Sequence, residues 1–153
     1  MMPEPGSLEG SFHLMGGDFT NAGSASSELK AILVKFGVAQ NIVRRAAIAA
    51  FEAEMNVIIH AVAGTLHYMI TAEVLTITVT DMGPGIEDVN LAMQKGYSTA
   101  PDWVREMGWG AGMGLPNISK HSDSFKLDTV VGEGTTLEIF FNLRLTNAQV
   151  IHS

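Results

Sequence analysis

Three polar side chains spaced four residues apart are the first residues of this 153-residue chain whose types could do chemistry. Glu52, Asn56 and His60 lie in a segment with helical periodicity, so they share one face of the predicted helix. A carboxylate and a carboxamide one turn apart can act as a general base and as a ligand for a hard cation such as Mg²⁺. A solvated polar face has the same spacing, and the helix dipole alone explains a histidine near a helix end. The stripe by itself leaves both interpretations open.

A second acidic site follows an alternating apolar segment at residues 74–80, which predicts a β-strand. Asp81 stands at the end of that strand. Gly83 and Gly85 follow it, and glycines allow the backbone to turn tightly and to approach a ligand closely. An ordinary glycine-proline turn would also use an aspartate here. The pattern is therefore typical of a segment that lines a ligand-binding site, but it is not specific to such a segment.

A third segment, residues 96–114, has no periodicity and ends with glycine at every second position. A loop of this length inside a compact domain is usually a lid or a binding loop. Leu115 and Pro116 then begin a predicted helix, whose first free amides could bind phosphate. The loop is not a Walker motif, because the chain has no Gly-Lys-Ser/Thr, and its glycine spacing is not that of a Rossmann fingerprint.

The charge balance limits how this chain could hold an anion. Nine basic and sixteen acidic residues give a net charge of −7, which disfavours nucleic acid and anionic membranes as partners. Phosphate would have to be held by backbone amides, a helix N-terminus or a metal ion. The chain has no cysteine and no apolar run near the roughly 20 residues of a membrane span. We therefore expect a soluble, cytoplasmic protein.

The periodicities predict one domain at residues 11–143, with a flexible leader at 1–10 and a tail at 144–153. Residues 20–24 offer side-chain caps for the first helix. The predicted strands are 11–15, 65–71, 74–80, 124–130 and 135–142, with 65–71 and 74–80 forming a hairpin. The predicted helices are 27–36, 40–62, 86–93 and 116–122.

Four short motifs, taken in order, resemble the nucleotide-binding boxes of the GHKL, or Bergerat-fold, ATPases and kinases. They are Glu52-x-x-x-Asn56, Asp81-x-Gly83-x-Gly85, Gly110-x-Gly112-x-Gly114 and Gly134-Thr135-Thr136. The resemblance covers about residues 25–143. It implies an α+β two-layer sandwich, with helices on one face of a mixed, mostly antiparallel sheet. It also implies that ATP lies between the two layers under a mobile lid at about 96–114.

The resemblance also implies a role for each matched residue. Asp81 would receive the adenine amino group, Asn56 would bind Mg²⁺, and Glu52 would orient or deprotonate the attacking nucleophile. Thr135 would lie near the adenine and its bound water. The other residues implied to bind ATP belong to the glycine boxes and the lid, namely Gly83, Gly85, Ile86, Ser98, Thr99, Gly110, Gly112, Met113, Gly114 and Leu115.

Within this superfamily, the length of the chain and the sequences of its motifs resemble those of the small kinases of bacterial partner-switching systems. These are the RsbT switch kinases and the RsbW or SpoIIAB anti-sigma factors. The chain looks like a lone ATP-binding domain, closest to the RsbT type. The resemblance predicts a serine/threonine protein kinase that phosphorylates a small STAS-type antagonist. An anti-sigma factor that sequesters a sigma subunit and a non-catalytic ATP-sensing subunit are the alternatives. Whether the chain forms a homodimer, and what the tryptophan-containing segment 100–109 contacts, stays open.

Overall fold

The computed structural model of the protein describes residues 7–86, 89–94 and 114–143. It contains the strands β1 (Leu8–Met15), β2 (Ala63–Ile70), β3 (Val74–Met82), β4 (Ser124–Val130) and β5 (Gly134–Asn142), and the helices α1 (Ser24–Phe36), α2 (Gln40–His60), α3 (Val89–Ala92) and α4 (Gly114–His121). Each predicted element is present, with bounds that differ by a few residues. The largest differences, of three residues each, are at the starts of β1, α1 and α3, which were predicted at Ser11, Ser27 and Ile86.

The five strands form one sheet in the order β1-β2-β3-β5-β4. Every pairing within the described residues is antiparallel. The predicted α+β sandwich with a mostly antiparallel sheet is confirmed. The predicted hairpin joins β2 to β3, and β5 lies on the other side of β3. This order places the end of β3 between the start of β2 and the start of β5.

Alternation along the strands gives the sheet one apolar face. Leu66, Ile77, Ile139 and Phe141 on that face have no exposed surface, and they form one core with the buried faces of α1, α2 and α4. The alternate residues of β3 and β5 point to the other face, where threonines predominate. The helices therefore cover one side of the sheet, as predicted.

The 21-residue helix α2 is central to the helical layer. Four buried alanines on it, Ala46, Ala49, Ala50 and Ala53, let the helix pack closely against α1 on one side and α4 on the other. None of the helices in the described ranges combines the length and the apolar character that a membrane crossing requires.

The start of α1 is capped from α2, and the prediction of a local side-chain cap was wrong. Gly23 is the N-cap residue and has no side chain to offer. Instead, Oε2 of Glu54 accepts hydrogen bonds from the N–H groups of Gly23 at 3.1 Å and Ala25 at 3.2 Å, and Oε1 accepts from Ser26 N–H at 3.0 Å. Glu54 is only 1% exposed. A carboxylate at a helix N-terminus satisfies the free amides and complements the helix dipole.

Arg45 of α2 fixes the end of α4, the helix that packs on the other side of α2 from α1. Its Nε donates to the carbonyl oxygen of His121 at 2.9 Å, at the end of α4, and its Nη2 pairs with Asp123 Oδ1 at 2.9 Å. Asp123 in turn accepts a hydrogen bond from the backbone N–H of Asn142. One arginine of α2 thus ties the end of α4 to the sheet.

Candidate functional site

Asp81 lies on the helix-covered face of β3, directly opposite Thr135 of β5. Its Oδ1 accepts a hydrogen bond from the backbone N–H of Thr135 at 3.3 Å. Partial burial raises the pKa of the Asp81 carboxyl above its ordinary value, and the bond from Thr135 acts in the opposite direction. The result is a carboxylate that is anchored through one oxygen and incompletely desolvated. It is suited to accept hydrogen bonds from a ligand.

Glycines leave space around this carboxylate. A Cβ placed on Gly83 would lie 3.0 Å from Asp81 Oδ1, and a Cβ on Gly64 would lie 2.7 Å from the Thr80 carbonyl oxygen and 3.3 Å from Asp81 Cβ. Gly64 stands opposite Asp81 in β2. The predicted glycine Gly83 therefore does border the acidic group, as does Gly64, which the motif analysis did not single out.

The loop after β3 is fixed to the β4–β5 hairpin. The N–H of Ile86 donates to Thr129 Oγ1 at 2.8 Å, and Thr129 Oγ1 lies 3.0 Å from Thr135 Oγ1. Gly85 adopts a φ of 76°, and a Cβ there would lie 2.6 Å from the Val130 carbonyl oxygen. Glycine is needed at this position for both reasons. Together these bonds connect Gly85, Ile86 and Thr135 into one unit next to Asp81.

Glu52 lies at the seam between α2 and α4. Its Oε2 would be 3.6 Å from a Cβ on Gly114, the first residue of α4. Burial raises the pKa of Glu52 above its ordinary value, while a hydrogen bond with the Asn117 side chain and the nearby His121 act to lower it. A carboxylate with a raised pKa, at the start of the helix that follows the predicted lid, has the properties of a general base.

Asn56 is one turn beyond Glu52 on α2 and is partly exposed. The next residue, Val57, packs against Gly64, the residue of β2 that lies opposite Asp81. Its Cγ1 would lie 3.0 Å from a Cβ on Gly64. Burial lowers the pKa of His60, which favours its neutral form and a structural role.

The remaining predicted residues divide into two groups. Leu115 has a side chain that is 8% exposed and belongs to the core, so only its backbone is available for a ligand. Ser98, Thr99, Gly110, Gly112 and Met113 lie outside the described residues, as does most of the predicted lid.

The described residues contain no group of three or more histidine, cysteine or acidic side chains that could hold a metal ion. Mg²⁺ that is bound together with a nucleotide usually takes one or two protein oxygens along with phosphate oxygens and water. Asn56, beside Glu52, offers an amide oxygen suited to that role.

Comparison with known proteins identifies the family of this domain. The family profile described as the histidine kinase-like ATPase domain matches residues 18–141. This chain belongs to the histidine kinase-like ATPase family. The matched range contains Glu52, Asn56, Asp81 and Thr135, so the domain is of the ATP-binding GHKL type that the motifs predicted.

Among curated proteins of this family, the serine/threonine-protein kinase RsbT of Bacillus subtilis is 39% identical to the chain over 70 residues, which are 46% of this chain and 47% of RsbT. The anti-sigma F factor of Pasteuria penetrans is 32% identical over 109 residues, which are 66% of this chain and 69% of that protein. The aligned part thus spans about half of RsbT and about two thirds of the anti-sigma factor.

Among solved structures, the SiaB–SiaC complex from Pseudomonas aeruginosa contains a chain with the same fold. The TM-score is 0.52 at 12% identity, and the match covers 86% of this chain and 88% of that chain. At this identity, the likeness concerns the fold alone.

Three residues of the site were missed by sequence reasoning. Gly64 lies in a strand, where an isolated glycine is a signal of close backbone approach. Thr129 is one of many strand threonines, and nothing local sets it apart. Asn117 follows Pro116 in α4, and only its position three residues beyond Gly114 could have drawn attention to the face that meets Glu52.

Proposed function

We propose that this protein is an ATP-dependent serine/threonine protein kinase of a bacterial partner-switching system, and that it phosphorylates a small STAS-type antagonist protein. The observation that supports this most directly is that the site has two carboxylates in different settings: Asp81, bordered by glycines, and the partly buried Glu52, beside the first residue of α4. Asp81 would bind the nucleotide base, and Glu52 would orient or deprotonate the nucleophile. RsbT, which is named a serine/threonine-protein kinase, adds support.

Asp81 would accept a hydrogen bond from the adenine amino group, with Thr135 holding the carboxylate in place through its N–H. Gly83 and Gly85 would leave room for the base, because side chains there would approach Asp81 and Val130. At the other end of the site, the backbone amides of Gly110, Gly112, Met113 and Gly114 would bind phosphate oxygens, and Ser98 and Thr99 would close the site from the lid.

Glu52 would orient the serine or threonine hydroxyl of the substrate and accept its proton as the hydroxyl oxygen attacks the γ-phosphorus. The bond between the γ-phosphorus and the β,γ-bridging oxygen would break, and ADP would leave with that oxygen. Asn56 would supply an amide oxygen to Mg²⁺, which when bound would neutralise charge on the phosphate oxygens. The raised pKa of Glu52 suits this role, because a base whose pKa is nearer the working pH accepts a proton more readily.

An anti-sigma factor is the second candidate function, and the longer alignment with the anti-sigma F factor of Pasteuria penetrans favours it. In that case the chain would sequester a sigma subunit, and phosphotransfer would be secondary. A non-catalytic ATP sensor is disfavoured by the presence of Glu52. We further propose a cytoplasmic location, where ATP is available, and association into a homodimer.

The test is transfer of label from γ-labelled ATP and Mg²⁺ to a STAS-domain protein encoded beside this chain. The wild type should label a serine or threonine, and Glu52→Ala and Asn56→Ala should abolish labelling. Glu28→Ala, which changes an exposed glutamate of α1, is the matched control and should transfer normally. Binding of ATP with no transfer to any partner would contradict the kinase proposal. Co-purification of a sigma subunit under those conditions would then favour the anti-sigma function.

A further inference from the structure

Helices α2 and α4 run antiparallel where they pack, and contacts at both ends of α4 fix this arrangement. At the start of α4, a Cβ on Gly114 would lie 3.6 Å from Glu52 Oε2. At its end, the carbonyl oxygen of His121 accepts a hydrogen bond from Arg45 Nε at 2.9 Å. Arg45 comes seven residues before Glu52 in α2, so both lie on one face of that helix. The face of α2 that carries the proposed base is therefore the face against which α4 packs.

The residue of α4 that bonds to Glu52 is Asn117. It comes three residues after Gly114, about one turn further along the same face of α4. Burial raises the pKa of Glu52, and a hydrogen bond with the Asn117 side chain counteracts part of this increase. A bond that lowers the pKa of a carboxyl stabilises its ionised form, which can only accept. The carboxamide N–H of Asn117 therefore donates to Glu52.

This bond leaves Glu52 able to accept another. An ionised carboxylate has two oxygens with about four acceptor positions. Glu54, two residues later in α2, accepts three hydrogen bonds from the start of α1 and is 1% exposed. Glu52 is instead partly exposed and faces α4. A hydroxyl group can therefore reach the Glu52 carboxylate while Asn117 holds it.

Asn117 is itself held by the last turn of α4. His121 Nδ1 lies 2.8 Å from the Asn117 carbonyl oxygen. Because a carbonyl oxygen can only accept, Nδ1 must carry the hydrogen in this contact. The bond from Arg45 to the His121 carbonyl oxygen ties the same turn to α2. The position of Asn117 is thus fixed by contacts on both helices.

We propose that Asn117 is a positioning residue for phosphotransfer, whose carboxamide orients the Glu52 carboxylate toward the substrate hydroxyl as long as α4 packs on α2. The inference rests on the proposed function, because it takes Glu52 as the base. A glutamate side chain without a partner samples several rotamers, whereas a base must lie within hydrogen-bond reach of the proton that it accepts. Gly114, whose backbone amide is proposed to bind phosphate, begins the same helix. Phosphate binding and orientation of the base would then both depend on α4.

A purely structural role for Asn117 has different consequences. A side chain that only helps α4 to pack on α2 would change the free energy of unfolding without changing the ionisation of Glu52. A positioning residue must change both the ionisation of Glu52 and the rate of transfer, while ATP still binds. The decisive measurements are therefore the titration of Glu52 and the single-turnover rate.

The charged groups around Glu52 define the background of that titration. From α4, the imidazole of His121 is near enough for its positive charge, when protonated, to oppose the effect of burial on the pKa of Glu52. Lys120, the other charged residue of α4, is exposed. On α2, Arg45 is ion-paired two turns before Glu52, and burial favours the neutral form of His60 two turns after it. The effect of Asn117 should persist in a His121→Gln background, which removes the nearest titrating group.

The test compares Asn117→Ala with Ser119→Ala, which changes an exposed serine of the same helix. With glutamate carboxyl groups labelled with ¹³C, NMR without nucleotide or Mg²⁺ follows the titration of Glu52, whose signal is assigned by its loss in Glu52→Gln. The pKa of Glu52 should rise further in Asn117→Ala, because the donor is lost, and should not change in Ser119→Ala.

Single-turnover transfer should show the same dependence on the amide. Asn117→Ala should be about 10- to 100-fold slower than the wild type, with unchanged affinity for ATP, and Ser119→Ala should transfer normally. Asn117→Gln keeps an amide donor and should recover part of the rate. Asn117→Leu has a similar size without a donor and should not.

Two results would overturn the proposal. One is a pKa of Glu52 that is the same in Asn117→Ala and in the wild type, whether or not the protein transfers phosphate. The other is an unchanged single-turnover rate in Asn117→Ala when the wild type is active. A wild type that binds ATP and labels no partner would contradict the kinase proposal alone. A higher pKa of Glu52 in Asn117→Ala would still show that Asn117 holds the carboxylate.

Discussion

The backbone N–H of Thr135 on β5 donates to Oδ1 of Asp81 on β3, at 3.3 Å. The carboxylate is thus held by the strand beside it, although burial raises its pKa. A carboxylate that is held in place although its partial burial lowers the stability of the fold is typical of a binding site. Such a loss of stability is retained when the group is needed for function.

Asp81→Asn should weaken ATP binding and raise thermal stability at pH 7. The amide removes a charge-assisted hydrogen bond of about 1.5–3 kcal/mol, which corresponds to roughly 10- to 150-fold in affinity. The folded-state pKa of Asp81 is raised from 3.8, so the folded protein binds more protons than the unfolded chain in the window above that value. Stability is therefore lost as the pH rises through this window, and the neutral amide avoids the loss.

Calorimetric titration with ATP and thermal unfolding at pH 7 measure the two effects. Asp128→Asn on exposed β4 is the control and should change neither. An Asp81→Asn variant that binds ATP as tightly as the wild type would show that the carboxylate does not contact the base.

Glu52→Gln should reduce phosphotransfer by about 100-fold or more, which is the usual contribution of a general base. The raised pKa of Glu52 predicts that the wild-type rate falls as the pH decreases through a value above the ordinary 4.5, because the carboxylate must be ionised to accept a proton. Single-turnover rates across pH should show this decline in the wild type, and the glutamine variant should show none of it. An unchanged pH profile in Glu52→Gln would assign the titration to another group.

Glu54→Ala should destabilise the fold by about 2–4 kcal/mol, since loss of a helix cap and of a partner for buried amides each contribute. Glu54 bonds to three N–H groups at the start of α1 and is 1% exposed. Chemical denaturation gives the free energy of unfolding. Glu28→Ala, on the exposed side of α1, should stay within about 0.5 kcal/mol of the wild type. A loss below that limit for Glu54→Ala would mean that water replaces the carboxylate.

Gly85→Ala and Gly132→Ala separate backbone strain from steric contact. Both glycines have positive φ, 76° and 82°, but a Cβ on Gly85 would lie 2.6 Å from the Val130 carbonyl oxygen, whereas a Cβ on Gly132 would meet nothing within 4 Å. The Gly132 variant should lose only the strain, about 1–2 kcal/mol of unfolding free energy. Gly85→Ala should lose more and should also weaken ATP binding. Equal losses of unfolding free energy in the two variants would contradict a steric contact between a Cβ at position 85 and the Val130 carbonyl oxygen.

Sequence reasoning predicted the parts of this fold that depend on local patterns. Alternation in residues 74–80 predicted β3, and helical spacing predicted the shared face of Glu52 and Asn56. The glycines after Asp81 indicated a close approach of the backbone, and the structure shows such approaches within the protein at both Gly83 and Gly85. Each of these signals lies within a few consecutive residues and so can be read without knowing what packs against them.

The parts that were missed depend on contacts between distant segments. Glu54 caps α1 from a position 31 residues away from Gly23. Its neighbour Glu52 has the same side chain in the same helix, and only the packing of α1 on one side of α2 and of α4 on the other gives the two glutamates different roles. Thr129 likewise acquires its importance from the turn that brings Ile86 beside it.

The tight turn between β2 and β3 lies at the opposite end of the sheet from Asp81. Ala72 in that turn is exposed, and the strand between it and Asp81 extends about 25 Å at roughly 3.3 Å per residue. Because the chain has no native thiol, a single cysteine at this position would carry one fluorophore at a fixed distance from the proposed nucleotide site at Asp81. Energy transfer from a fluorescent ATP analogue to that dye would then report nucleotide occupancy in real time.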